Sequence, residues 1–170
     1  NAGKVVGVLA VTEDITARKY MAQELFRRAN FDSLTGLPNR AYFHSQLAEG
    51  VKRAQRRAGL VLMYFDIDRF KQINDTYGHD VGDEVIRMFG QRVRAALRES
   101  DFIARLGGDE FVLIAEAQNE QNDGAVIAQK LVDAMKPAFD IGAVRLQVST
   151  SIGVAYFQDG MTPEMLVKAA

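Results

Sequence analysis

Phe102-Ile103-Ala104-Arg105-Leu106-Gly107-Gly108-Asp109-Glu110-Phe111-Val112-Leu113-Ile114-Ala115 decides the fold. Two apolar runs, 102–106 and 111–115, flank Gly-Gly-Asp-Glu, which is a hairpin signal. Gly107-Gly108 lets the backbone turn tightly and lets a large ligand come close to it. Strands and helices alternate along the chain, yet a hairpin is present. That combination predicts an α+β fold with a mixed or antiparallel sheet.

Residues 59–67, Gly-Leu-Val-Leu-Met-Tyr-Phe-Asp-Ile, are the strongest strand of the chain. The nearly unbroken apolar run predicts burial on both faces, hence a central position. Before it, Gly36 and Pro38 punctuate a loop over Asp32–Arg40, and Asn39 can cap a helix running to about Arg57. Phe43, Leu47, Val51 and Ala54 hold one face of that helix. Its basic end, Lys52, Arg53, Arg56 and Arg57, suits either phosphate or the helix macrodipole.

After the strand, a helix is expected from about Val81 to Leu97, with Val85, Phe89 and Val93 inward. Beyond the hairpin, a helix over about 123–135 turns Ala128, Leu131, Val132 and Met135 inward. Val144–Phe157 reads as one long strand or two, with a bend at Ser149–Gly153. Thr162 caps a last helix. At the other end, residues 4–12 read as a β-branched strand, and Asp14 or Thr16 caps a helix to about Asn30. The seam of that helix, Ile15, Ala22 and Ala29 with Leu25, is too short to define a coiled coil.

The chain has 170 residues, 48% hydrophobic and 25% charged, which is globular composition. Twenty-one Lys and Arg against 22 Asp and Glu give no broad positive field, so a nucleic-acid partner is not expected. With no cysteine there is no disulfide, thiol nucleophile or Cys-based zinc site. The longest apolar runs, Val8–Val11 and Leu60–Phe65, fall far short of the roughly 18 residues that span a bilayer. The chain starts at Asn1 rather than Met and reads as a fragment of something longer. The expected address of this domain is the cytoplasm, in a parent that can still be membrane-anchored.

Two acidic clusters carry the chemistry. Asp66 and Asp68 end the central strand on one face, about 6–7 Å apart. They are either a solvated strand end or a cation site. Asp109 and Glu110 stand at the hairpin tip. Acids at both places are the ingredients of a magnesium site, since that ion takes a few carboxylates plus substrate phosphates. Between the clusters, Lys71 can neutralise phosphate or simply be solvated. Asn74 and Asp83 suit a guanine edge, or equally turn and cap chemistry.

Taken together these motifs resemble the GGDEF family of diguanylate cyclases. Arg105–Phe111 is the family's signature, and Asp32–Arg40 looks like its Asp-x-Leu-Thr-Gly-Leu-x-Asn-Arg opening. Phe65–Lys71 and Asn74–Asp83 resemble its metal and guanine segment. The resemblance implies a palm-like fold, a mostly antiparallel central sheet wrapped by helices. It implies that two GTP condense to cyclic di-GMP with release of two pyrophosphates, across a homodimer. Asp66, the Ile67 carbonyl and Asp109 would hold Mg²⁺, with Mn²⁺ as an alternative. Glu110 would be a further ligand or the base for the 3′-hydroxyl. Asn74 and Asp83 would read guanine, His79 would contact the nucleotide, Lys71 would steady phosphates, and Gly107 and Gly108 would border the substrate.

Arg98 and Asp101 match the spacing of the family's Arg-x-x-Asp inhibitory site for cyclic di-GMP, or form a helix-end salt pair. A silent module that binds GTP or cyclic di-GMP to regulate a neighbouring domain is the alternative function. Asp14–Lys19 resembles the joint after a PAS sensor domain. The expected layout is therefore 1–15 the end of an upstream PAS-like sensor, 16–30 a signalling helix, and 31–170 the catalytic domain. The chain stops at Ala170, before the last helix that family members usually carry.

Overall fold

A computed structural model describes residues 14–56, 59–117 and 120–170. The strand expected over 4–12 lies outside the described residues. The elements run α1 (Thr16–Asn30), α2 (Arg40–Ala54), β1 (Gly59–Ile67), α3 (Phe70–Tyr77), α4 (His79–Ala96), β2 (Phe102–Gly107) and β3 (Glu110–Ala117). They continue with α5 (Glu120–Met135), β4 (Phe139–Ile141), β5 (Val144–Leu146), β6 (Thr150–Tyr156) and α6 (Pro163–Ala169).

The main sheet has the order β2-β3-β1-β6, and every pairing in it is antiparallel. The apolar run 59–67 is interior, as its two-sided hydrophobicity requires. Alternation along β1 divides the core. Val61, Met63, Phe65 and Ile67 face α4 and α5, packing with Val85, Phe89, Val93 and Leu131. Leu60 and Leu62 face the other way, onto Phe43, Leu47 and Val51 of α2 and Leu166 of α6. The sheet is thus sandwiched, and its site-bearing end is fixed from both sides. Phe65 stacks on Phe111 at 5.9 Å between ring centres, and Phe89 tilts against Phe111 at 4.9 Å.

Three local expectations change, and one open choice is decided. A separate eight-residue helix, α3, precedes α4, entered through Arg69 in a left-handed conformation (φ 58°). Of the one strand or two expected over 144–157 there are two, and the break at 147–149 reaches the start of the expected bend at Ser149. Its first part, β5, pairs with β4 in a small hairpin around Gly142. Val132 points outward at 40% exposed, while Leu131 and Met135 are buried. Asn39 caps α2 by accepting from Tyr42 N–H, and Thr162 caps α6 by accepting from Met165 N–H.

Helix α1 contributes no buried residue, and Tyr20, Met21 and Leu25 on it are exposed. Its end is tied down nonetheless. Asn39 Nδ2 donates to Ala29 O at 2.9 Å, and Phe31 bridges to Pro38. Among the described residues, no helix is long and apolar enough to cross a membrane.

Candidate active site at the hairpin tip

The tip of the β2–β3 hairpin sits beside the C-terminal end of β1, because β1 pairs with β3 from Gly59↔Ala117 to Phe65↔Phe111. That register brings Asp66 level with the turn. The turn itself uses Gly107 at φ 136° and Gly108 at φ 54°, backbone that side-chain-bearing residues rarely adopt. The register also shifts between Arg105 and Gly107, a bulge that re-aims the tip.

Asp66 shows how the acids converge. Burial raises its pKa above the ordinary aspartate value, and the negative charges of Asp109, Asp68 and Glu110 raise it further. A Ser151 backbone hydrogen bond opposes that rise. Asp68, two residues on, behaves in the opposite way. The hydroxyls of Ser149 and Ser151 donate to its two oxygens at 2.5 and 2.6 Å and hold its pKa low. Asp68 therefore fastens β6 to the end of β1, and Asp66 is left facing the hairpin acids. An open cleft of about 380 Å³ lies here, lined by Tyr64, Phe65, Asp66, Glu110 and Ser151.

Among the described residues, no group of three carboxylates or imidazoles is arranged to enclose a metal. The donor set still suits magnesium, which takes one or two protein carboxylates and leaves its remaining positions to water and phosphates. Repulsion concentrated on Asp66 is what a bound cation would relieve.

The guanine candidates lie on the next two helices. Asn74, on α3, is half-buried, and its Oδ1 is a buried polar atom with no hydrogen-bond partner. Such orphaned atoms are rare away from functional sites. Gly82 of α4 makes room for it: a Cβ there would stand 1.9 Å from Asn74 Oδ1. Asp83 follows Gly82 and is half-buried. Lys71 and His79 are exposed on α3 and at the start of α4.

Arg98 and Asp101 come together, though not as a side-chain salt pair. Asp101, 8% exposed, accepts from the Arg98 backbone N–H at 2.9 Å. The Arg98 side chain is exposed, and both residues line a small cleft with Glu116 and Lys130.

Sequence reasoning assigned no role to the groups that hold the tip in place. Arg105 Nη1 donates to both Asp32 oxygens, at 2.9 and 3.0 Å. Its Nε and Nη2 donate to Gly108 O at 3.0 and 2.7 Å. Asp32 also accepts from the Thr35 N–H and hydroxyl. Arg105 thus clasps the turn to the 32–40 loop. Opposite charge was the available signal, but the partners are 73 residues apart.

The chain is 38% identical over 149 residues to the diguanylate cyclase DgcS of Shewanella oneidensis, covering 87% of this chain and 49% of that protein. It is 37% identical over 148 residues to the cyclic di-GMP phosphodiesterase NbdA of Pseudomonas aeruginosa, covering 86% of this chain and 19% of that protein. The chain therefore spans between a fifth and a half of these relatives. The crystal structure of diguanylate cyclase SiaD with its activator SiaC, from Pseudomonas aeruginosa, superposes with a TM-score of 0.80. Identity there is 35%, over 91% of this chain and 60% of that one. Residues 29–170 match the family described as "Diguanylate cyclase, GGDEF domain". Signature, fold and match agree, and the chain belongs to the GGDEF family.

Proposed function

We propose that this domain is a diguanylate cyclase that condenses two GTP into cyclic di-GMP. The observation that carries the reading is the convergence of Asp109 and Glu110 on Asp66 at the mouth of an open cleft. Asp66, the Ile67 carbonyl and Asp109 would hold magnesium or manganese, with Glu110 at its edge. The ion, when bound, supplies charge neutralisation for the phosphates and lowers the pKa of a hydroxyl near it. Asn74 and Asp83 hold the guanine edge, His79 lies along the nucleotide, and Lys71 takes phosphate charge. Gly107 and Gly108, lacking side chains, let the substrate approach the turn.

In each half-reaction the 3′-oxygen of one GTP bonds to the α-phosphorus of the other. The bond from that phosphorus to pyrophosphate breaks, and Glu110 takes the hydroxyl proton. Two such steps close the ring and release two pyrophosphates. Because each domain holds one GTP, two copies must face each other, which supplies the in-line approach. Exposed apolar residues on α1 are consistent with a paired helix leading from an upstream sensor. Cyclic di-GMP binding at Arg98 and Asp101 would give product inhibition.

A second reading has its own support, since the similar protein NbdA bears the name of a phosphodiesterase. In that reading the domain binds GTP or cyclic di-GMP and regulates a neighbour. Incubation with GTP and magnesium, followed by chromatography, separates the two. Cyclic di-GMP and pyrophosphate, formed faster per molecule at higher protein concentration, support a dimeric cyclase. Unchanged GTP from folded protein supports the regulatory module. Asp109→Asn should abolish turnover and leave the melting temperature intact; normal turnover in that variant refutes the mechanism.

A further inference from the structure

Glu110 begins β3 on the same sheet face as Tyr64 and Asp66, since Val112, two residues on, pairs with Tyr64. A half-exposed glutamate samples several rotamers unless another group holds it. The first residue of α2 does so. Arg40 Nε donates to Leu106 O at 3.2 Å, and its Nη2 donates to Glu110 Oε2 at 3.4 Å. The first bond anchors the guanidinium on the strand entering the turn. The second then meets the carboxylate from a fixed point, which the planar fork of arginine permits and a lysine ammonium does not.

Arg40 is itself well founded. The preceding residue, Asn39, caps α2 and reaches back to Ala29 at the end of α1. The charges of Arg40 and Glu110 both act on the Tyr64 hydroxyl, and Tyr64 and Glu110 line the cleft. Both members of the Arg40–Glu110 pair are 58% exposed, and pairs so exposed add little to stability. Its consequence is therefore one of placement.

We propose that Arg40 is a positioning residue that fixes the Glu110 carboxylate for the substrate's 3′-hydroxyl; the role rests on the cyclase reading of the site. Lys71 and Asn74 approach the nucleotide from α3, and Arg40 governs the group on the opposite, α2 side.

The test uses the full chain with Arg40→Ala and Arg40→Lys. Turnover is measured against GTP concentration with magnesium, alongside melting temperature and hydrogen–deuterium exchange of the peptide spanning 105–111. In Arg40→Ala, kcat should fall about 10- to 100-fold, with KM within about twofold. The melting temperature should hold, and exchange at the hairpin should quicken. Arg40→Lys, which restores the charge without the fork, should recover part of kcat. An unchanged kcat in Arg40→Ala overturns the proposal. So does a raised KM at constant kcat, which would make Arg40 a substrate-binding group, or a joint collapse of kcat and melting temperature. Should the wild-type chain form no product, the cyclase reading fails separately. Exchange then decides the placement: faster hairpin exchange in Arg40→Ala supports it, and unchanged exchange refutes it.

Discussion

Replacing Asp32 tests whether the 32–40 loop holds the hairpin tip. Its carboxylate accepts four hydrogen bonds, two from Thr35 and two from Arg105. The Arg105 and Asp32 side chains are 10% and 20% exposed. Fully exposed pairs contribute about 0–1 kcal/mol, whereas breaking a buried one costs about 3–5 kcal/mol. This pair lies between, nearer the buried limit, and Arg105 keeps its bonds to Gly108 when Asp32 is lost. Asp32→Ala should therefore destabilise the domain by about 2–3 kcal/mol. At this chain length that lowers the melting temperature by about 5–10 °C. Acid gives the second arm. Burial raises the Asp32 pKa, but the bonds from Thr35 and Arg105 outweigh burial and leave it below the ordinary value. A depressed carboxylate stabilises the fold above its unfolded pKa, about 3.9, and loses that contribution as pH falls through the lower folded value. The wild-type advantage over Asp32→Ala should thus be full at pH 7 and shrink below about pH 4. Calorimetry of both proteins across that range is the assay. Equal melting temperatures at pH 7, or a gap that does not narrow in acid, would refute the reasoning.

Gly82→Ala should separate stability from recognition. Alanine improves the helix by up to about 1 kcal/mol, but its Cβ displaces the Asn74 amide that it would meet at 1.9 Å. Melting should hold or rise while GTP affinity falls about tenfold, the loss of roughly one hydrogen bond, read by calorimetric titration. For Arg98→Ala, the cyclic di-GMP concentration that half-inhibits turnover should rise at least about tenfold, since exposed Arg98 lines the cleft and its planar guanidinium can grip a phosphate or a guanine edge. Unchanged inhibition would count against that cleft as the product site.

The parts of the fold that sequence revealed are those with a single strong period. Gly59–Ile67 is apolar on both faces and could sit only in the sheet interior. Phe43, Leu47 and Val51 repeat at helical spacing and are buried against it. The missed elements are short. α3 presents Phe70, Ile73 and Tyr77 over eight residues, too brief a pattern to outweigh the polar side chains between them. β4 and β5 are three residues each; β4 gave too short a pattern to read, and β5 ran together with β6. β4 joins β5 through the turn at Gly142, whose φ of 59° cannot be read from neighbouring hydrophobicity.

The site divides along a different line. Strand alternation and a glycine pair suffice to put Asp66 at a strand end and Asp109 and Glu110 at a turn, because both are local geometry; the β1–β3 register then brings the two together. Which of those acids is free depends on contacts across the fold. Arg40 reaches Glu110 over 70 positions of sequence, and Ser149 reaches Asp68 over 81. By alternation alone, Asp66 and Asp68 are equivalent: same strand end, same face, same charge. Two serine hydroxyls break that equivalence by stabilising the charge on Asp68, while Asp66 meets further carboxylates and its charge is disfavoured. A carboxylate already held by protein donors has little left to offer a cation. The one surrounded by its own kind gains most from binding one, which is why the proposed metal site is built on Asp66 rather than Asp68.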